Sequence, residues 1–524
     1  MKINLLNKLT YLPLVLLLGL FGVTGILGVD FGHQWDEPIF LTSLKISLET
    51  GVFLPHSYIY PSVSYDLSLL GIVPDIIGYY LVNPEPTVGG LNKYLVDSAN
   101  SHDFLLRLRV LFLLVSSLTI IWTYLTVISW RKNSLEALLA AALVGLSWEV
   151  AYHSRWIAPN VIMAQFGMMT IMLLFFAAKA QNNQNKRFWL RLAAVAAALA
   201  CATKYQAGLF LLPVWMGTLF FTRTFKIKFI VIVETFFIFG LAYYIVSPGT
   251  FLEAYQSIQH LKLVALIYNE AGHAGYTTHS GLEHLHLMAN YFALVIFSKY
   301  SLISLFFFMM SIVGTIYLIK ERKIISWVAL GFPILYILYL SLQIKVMIVR
   351  NLVVLIPFFA IFAARGVFVL QNRFFNKNSL FRAGFATFII TLLLINTFWL
   401  IQSTASIVNR HKTNYIQQLA EFIEGNQDKR FLVSTQVLND LSSLHGKIPS
   451  LVTNVPEQAE IAVFYSSEVS NWNAWTANQF NYTLTWFGPD EVNFNYYPSW
   501  AGDRRIVVMS VDKLQNLASL IKWQ

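Results

Sequence analysis

Cysteine is all but missing from this chain. The single one, Cys201, lies inside an apolar run, which excludes a disulfide framework and a thiolate metal centre. Charge is scarce too, at 12% of 524 residues against 56% hydrophobic and 15% aromatic. With a mean hydropathy of +0.57, that balance excludes a soluble enzyme and belongs to a polytopic membrane protein. No glycine-rich phosphate loop, dinucleotide fingerprint or HExxH pattern is present, which disfavours a nucleotide-driven reaction. Internal repeats and low-complexity segments are also absent. The net charge of +10 does not point to nucleic acid, because the basic residues cluster between apolar runs as the positive-inside rule requires.

Apolar runs occur at 11–29, 104–129, 134–150, 161–178, 189–203, 207–222, 229–247, 291–319, 324–342, 352–370 and 383–402, each roughly the length a helix needs to span. The first lacks a small-residue cleavage site and reads as a retained anchor. Val63 to Val82 is long enough to cross but contains Asp66 and Pro74-Asp75. A central Asp costs about 2.5–3.5 kcal/mol on insertion scales. If this segment stays at the interface, Lys2, Lys8, Arg131-Lys132, Lys179, Lys186-Arg187, Arg223, Lys226, Lys228, Lys320, Arg322-Lys323, Arg373, Lys377 and Arg382 all fall on one side. The expectation is therefore an α-helical polytopic protein with about eleven spanning helices, the N-terminus inside and the C-terminus outside. The membrane domain covers 1–402, with a large first outer loop of interfacial helices at 30–103.

Residues 403–524 turn polar and read as a small α/β extracytoplasmic domain. Arg430-Phe-Leu-Val-Ser434 then 437–444, and Arg505-Ile-Val-Val-Met-Ser510 then 511–521, each read as strand then helix. Between them lie Trp472, Trp475, Trp486, Tyr496, Tyr497 and Trp500, a set suited to packing or to stacking on sugars. Asn481-Tyr482-Thr483 fits the glycosylation acceptor pattern but is too short to carry weight.

On this topology the outer loops hold the chemistry. Asp36 and Glu37 sit just past the first span, and carboxylates held at a membrane surface are more often functional than decorative. One of them has a structural alternative, capping the helix that starts near Pro38. His33, His56 and Tyr58-Ile-Tyr60-Pro-Ser62 share that loop; His153, Arg155, Lys204, Tyr205 and Arg350 lie in other outer loops, and Arg109 opens the second span at the same surface. Cations beside a carboxylate suit a reaction in which a phosphate leaves while a hydroxyl is deprotonated. Basic residues at helix ends also snorkel to headgroups, the bland alternative. His279 and Glu283 share a helical face with zinc-compatible ligands, which makes them weak metal candidates.

Several of these pieces together resemble one family. Trp35-Asp36-Glu37-Pro38 with Thr50-Gly51 and Tyr60-Pro61-Ser62, Arg109 with Ser116-Ser117-Leu118-Thr119, His153 to Asn160, Ala202-Thr203-Lys204-Tyr205 with Gly208, and Arg350-Asn351-Leu352 with Pro357 follow in order. They resemble the C-type glycosyltransferases (GT-C), in the branch of protein O-mannosyltransferases and lipid A aminoarabinose transferases. The second motif departs, ending in Pro159-Asn160 where many relatives have Pro-Asp. The resemblance implies a GT-C fold and inverting transfer of a sugar from a polyprenyl-phosphate donor to an acceptor hydroxyl on a protein, lipid or glycan. It implies Asp36 as general base, Glu37 as orienting partner, and Arg109, Arg155, Lys204 and Arg350 on the donor phosphate. His56, Tyr60, His153 and Tyr205 would line the sugar and acceptor site. No cofactor is firmly implied, and a divalent metal stays open. The expected setting is the plasma membrane of a prokaryote, with the site on the extracytoplasmic side and membrane lipids as surroundings. The rival readings are an inactive family member acting as a scaffold, and a lipid or solute transporter. Transport is disfavoured because the charges gather at one surface rather than at the bilayer midplane.

Overall fold

A backbone in hydrocarbon must satisfy its own hydrogen bonds, so long apolar runs fold as helices. The computed structural model describes residues 11–31, 36–83, 85, 87–222, 224–272, 276–375, 378–410, 415–442, 449–453, 458–465, 478–480 and 506–511. The chain divides into two compact units, Met1–Val29 with Asp36–Leu400 and Asp30–Trp35 with Ile401–Gln524.

In the larger unit, eight helices among the described residues are long and apolar enough to cross a membrane: Val63–Val82, His102–Arg131, Pro159–Lys179, Phe225–Val246, Ser301–Lys320, Ile324–Gln343, Val349–Phe375 and Ser379–Ala405. Leu12–Leu27, Ser134–Gly145 and Tyr205–Phe221 are shorter apolar helices. Asn183–Cys201 occupies another of the expected spans, but Lys186, Arg187 and Arg191 lower its hydropathy. Val63–Val82 is two helices, Val63–Gly71 and Val73–Val82, joined at Ile72 just before Pro74. The proline has no N–H to continue the ladder there.

The apolar run 291–319 is not one helix. It breaks between Leu282–Leu294 and Ser301–Lys320. Asn396 donates to the Phe297 carbonyl at 2.8 Å, and Ser298 donates to Asn396 at 2.6 Å. These side chains satisfy backbone that the helices leave open, something hydropathy cannot register. Ser301–Lys320 then lies backbone to backbone against Ile356–Leu370. A Cβ on Gly314 would strike the Phe362 carbonyl, and one on Gly366 would strike that of Met310. Such small-residue contacts let membrane helices approach closely. Arg131, Glu136, Glu321 and Arg365 link four helices in a partly buried ion network, with Arg131–Glu321 at 3.0 Å and Arg365–Glu321 at 2.6 Å.

The smaller unit holds a five-stranded sheet in the order β2-β1-β3-β5-β4, with β1 Phe431–Val433, β2 Val452–Thr453, β3 Ile461–Tyr465, β4 Asn478–Phe480 and β5 Ile506–Ser510. β1 pairs parallel with β2 and β3, while β5 pairs antiparallel with β3 and β4. Leu419, Ala420 and Ile423 of helix Tyr415–Gly425 pack with Phe431, Val433, Val463 and Val508 in its core. The expected strands at 430–434 and 505–510 and the helix after the first are present, and the sheet fits the α/β reading. His33, Trp35, Asn481-Tyr482-Thr483, the tail tryptophans, Tyr496, Tyr497 and the expected helix beyond Val511 lie outside the described residues.

Candidate active site

Asp36 occupies the N-cap position of helix Glu37–Thr50, whose first turn contains Pro38, yet its carboxylate makes no capping bond. Instead, Arg350 Nη2 donates to Asp36 Oδ1 at 3.4 Å. The other oxygen, Oδ2, is buried without a hydrogen-bond partner among the described residues. Asp36 is 6% exposed. An open acceptor on so buried a carboxylate is costly and calls for an explanation.

Its neighbour faces elsewhere. Arg109 donates to Glu37 from Nε at 2.9 Å and from Nη2 at 2.6 Å, and the Ile157 amide donates to the same carboxylate at 3.2 Å. Arg109 Nη1 also reaches the Val29 carbonyl at 2.7 Å. This planar fork matches a carboxylate in a way Lys does not. The pair fixes the start of helix Glu37–Thr50 and thereby sets where Asp36 sits. Arg155 Nη1 donates at 3.3 Å to the carbonyl of Gly28, the C-cap of helix Leu12–Leu27. A cation there complements the helix dipole, and a Cβ on Gly28 would collide with the guanidinium. Burial pulls Arg155 down to about 9. The structure therefore gives Arg109 the Glu37 carboxylate and Arg155 the Gly28 carbonyl as partners.

A second group of polar residues gathers from three helix ends. Helix Asn183–Cys201 stops at Ala202, and Lys204 follows in extended backbone. Pro159 opens helix Pro159–Lys179 with Asn160 in its first turn. Arg350 and Asn351 lie on a 3₁₀ turn, Val349–Leu355, ahead of Pro357. Lys204 Nζ donates to Asn160 Oδ1 at 3.0 Å and to Asn351 Oδ1 at 2.5 Å. Tyr336 braces the turn by donating to the Asn351 carbonyl at 2.9 Å. Burial pulls Lys204 down to about 7; Arg350 adds to the shift and Asp36 opposes it.

Beside this group is a cavity of about 460 Å³ whose lining includes Tyr60, Lys204, Tyr205, Leu261, Val264 and Tyr268. Burial, then Asp36, holds the Tyr60 phenol well above its ordinary range, so one ring serves both the cavity and the Asp36–Arg350 pair. Lys204 Nζ is 5.9 Å from the Tyr60 ring, and Phe40 stacks on that ring at 5.7 Å. Tyr205 donates to the Tyr58 carbonyl at 3.0 Å. Tyr58 in turn donates to Glu253 at 2.5 Å, and its amide donates to His260 at 3.0 Å. His56, with a left-handed φ of 56°, lies 3.7 Å from Glu253. These contacts anchor helix Ala254–Leu266, which supplies the cavity wall.

His153 is buried with Glu149, Nε2 to Oε1 at 2.8 Å, between the Tyr152 and Trp156 rings. Glu283 accepts from Thr278 at 2.8 Å and from the His279 amide at 3.3 Å. Among the described residues no group of three or more His, Cys, Asp or Glu is placed to hold a metal. Sequence reasoning missed Tyr268 and the part played by Asn351. Tyr268 sits on a single π-helical turn, Ile267–Ala271, inside a long loop that carried no motif. Its backbone carbonyl takes the Lys345 amide at 2.7 Å. Such π turns recur at functional sites.

Residues 90–258 match the family model described as dolichyl-phosphate-mannose-protein mannosyltransferase, a stretch holding Arg109, Arg155, Asn160 and Lys204. No curated protein matches the chain. Among solved structures, apo ArnT from Cupriavidus metallidurans aligns with a TM-score of 0.50 at 13% identity, over 98% of this chain and 99% of that one. ArnT from Cupriavidus metallidurans bound to undecaprenyl phosphate aligns at 0.45 with 14% identity over 98% and 99%. The apo Archaeoglobus fulgidus oligosaccharyltransferase aligns at 0.48 with 12% identity over 88% and 71%. At such identity the likeness speaks for fold. With the family match it agrees with the motifs: this is an integral membrane protein of the GT-C glycosyltransferase architecture.

Proposed function

We propose that the protein transfers a sugar from a polyprenyl-phosphate donor to an acceptor hydroxyl, with inversion, at the extracytoplasmic face of the membrane. The observation that carries this reading is the convergence of an open carboxylate oxygen on Asp36 with Arg350 and Lys204, next to a cavity with largely apolar walls. Such walls suit the first part of a lipid chain, and two cations suit its phosphate. Helices that contribute to the site at one end carry Arg131-Lys132, Lys179, Lys186-Arg187, Lys323 and Arg373 at or beside the other. The positive-inside rule puts those basic clusters in the cytoplasm and the site opposite.

Asp36 Oδ2 takes the proton of the acceptor hydroxyl as that oxygen attacks the anomeric carbon from the face opposite the phosphate. The bond between anomeric carbon and phosphate oxygen breaks, and its electron pair stays on the leaving polyprenyl phosphate. The products are an inverted glycoside, a polyprenyl monophosphate and a protonated Asp36. Arg350 and Lys204 stabilise the charge that grows on the phosphate. Glu37 and Arg109 act through position, holding the turn that presents Asp36, and Tyr60 and Tyr205 line the approach from the cavity.

The test is Asp36→Asn in purified protein, with consumption of polyprenyl-phosphate sugar as readout. Turnover should fall by about 10²–10⁴, the usual share of a general base, while undecaprenyl phosphate still binds. Undiminished turnover removes Asp36 from the mechanism. A wild-type protein that binds the lipid yet consumes no donor with any acceptor supports the scaffold reading instead.

A further inference from the structure

Lys204 spends its hydrogen bonds on amides rather than on a carboxylate. A protonated ammonium has donors and no acceptor, so Asn160 and Asn351 must each turn Oδ1 toward it and Nδ2 away. Both Nδ2 groups are buried without a hydrogen bond of good geometry among the described residues; the Asn351 side chain has the Tyr268 hydroxyl as its neighbour, while among the described residues that of Asn160 has none. Asn160 is 1% exposed and Asn351 2%. Two buried N–H₂ groups on the residues that hold a buried ammonium are donors in want of an acceptor, and an anion would supply one. Arg350 is adjacent in the chain to Asn351 and bonds Asp36. The local charge is thus two cations against one carboxylate, one net positive. A carboxylate in place of Asn160 would cancel that excess and delete one of the donors.

The leaving group changes charge during the proposed reaction. In the donor the phosphate is a diester with one negative charge; after the anomeric carbon departs it is a monoester that gains a second. Groups that bind the second charge better than the first favour the transition state over the bound donor. A neutral residue at position 160 leaves Lys204 free to do this. Asp36, protonated at the same moment, no longer offsets the cations, so site and product each change by one charge in opposite senses.

We propose that Asn160 is a phosphate-recognition residue which, with Asn351 and Lys204, forms a cradle selecting the dianionic polyprenyl monophosphate over the singly charged diester. The proposal rests on the reading of a polyprenyl-phosphate leaving group. It adds a role for the position at which this chain departs from the sequence pattern it resembles.

The experiment titrates undecaprenyl phosphate and its methyl diester against the full-length protein in detergent, comparing wild type with Asn160→Ala, Asn160→Asp and Asn351→Asp. Size-exclusion profiles and circular dichroism report folding. Wild type should prefer the monoester. Asn160→Ala should bind it several-fold more weakly while keeping part of the preference. Asn160→Asp should bind it on the order of tenfold or more weakly, because it adds a like charge beside the phosphate to the loss of the hydrogen bond, and should lose the preference. Asn351→Asp makes the same charge change from the other side and carries the test if Asn160→Asp does not fold. Equal affinity for both lipids in wild type overturns the proposal, as does wild-type affinity in both Asp variants. Failure of wild type to bind either lipid is a different result, and removes the polyprenyl-phosphate reading itself.

Discussion

Arg109 grips Glu37 along one edge of its guanidinium, from Nε at 2.9 Å and Nη2 at 2.6 Å, across 72 residues of chain. That pairing decides which of two adjacent carboxylates is available. Glu37 has its oxygens filled by Arg109 and the Ile157 amide, while Asp36 keeps Oδ2 open. Two like residues side by side in sequence are thereby set apart, one bound into the turn and the other left with an oxygen open for the proposed chemistry.

The Glu37–Arg109 pair should behave as structure first. Removing one partner of a buried ion pair leaves the other uncompensated, at a cost of about 3–5 kcal/mol. Glu37→Gln and Arg109→Met should each lower the thermal unfolding midpoint in detergent. The double variant should recover part of the loss, because neither charge is then stranded. Single variants that unfold like wild type would return Glu37 to the reacting groups.

Lys204 should give donor binding a pH dependence of defined sign. Its ordinary value is lowered by burial to about 7, so the unliganded site holds its full positive charge only below neutrality. A bound anion favours the protonated form, so affinity should fall as pH rises, by up to about tenfold per unit above neutrality. The phosphate's own second ionisation, near pH 6, is complete by then and does not mask the trend. Undecaprenyl phosphate titrations across this range test it, with Lys204→Arg as control. Arginine stays charged throughout, and an identical slope in that variant would place the titration elsewhere.

Tyr58 should matter to the lipid without touching the reacting atoms. Its hydroxyl bonds Glu253 and its amide bonds His260, at the start and middle of the helix that contributes Leu261 and Val264 to the cavity. Tyr58→Phe removes the first bond and leaves the second. Lipid affinity should weaken several-fold, with faster hydrogen exchange confined to residues near 254–266. A fall in turnover at saturating lipid, with affinity intact, would contradict a wall-holding role.

Much of the site is legible in the amino-acid sequence. Asp36, Lys204 and Arg350 stand out because ionisable residues at the ends of apolar runs are few, and loop charge puts them on one surface. Their different partners are not legible. Arg109 and Arg350 look alike as arginines beside spans, yet one pairs with Glu37 and the other with Asp36. Asn160 reads as the loss of a carboxylate, whereas in the structure its amide oxygen accepts from Lys204 and its Nδ2 is left over. Tyr268 gives no signal, since a tyrosine in a long loop resembles any interfacial aromatic. The break at 295–300 escapes notice because hydropathy counts apolar side chains and does not see a backbone satisfied by Asn396.

The sequence by itself determined that the chain crosses a membrane repeatedly, where most of its helices run, and that its uncommon charges collect in loops. Apolar transfer energies and helix length are local sums over residues, and local sums survive in one dimension. Which charges neutralise one another, which carboxylate oxygen stays open, and which amides spend their oxygens on Lys204 were decided only by tertiary structure. Asp36 and Arg350 meet across 314 residues, and such pairings depend on angstrom-scale distances in a low-dielectric interior that no local sum contains.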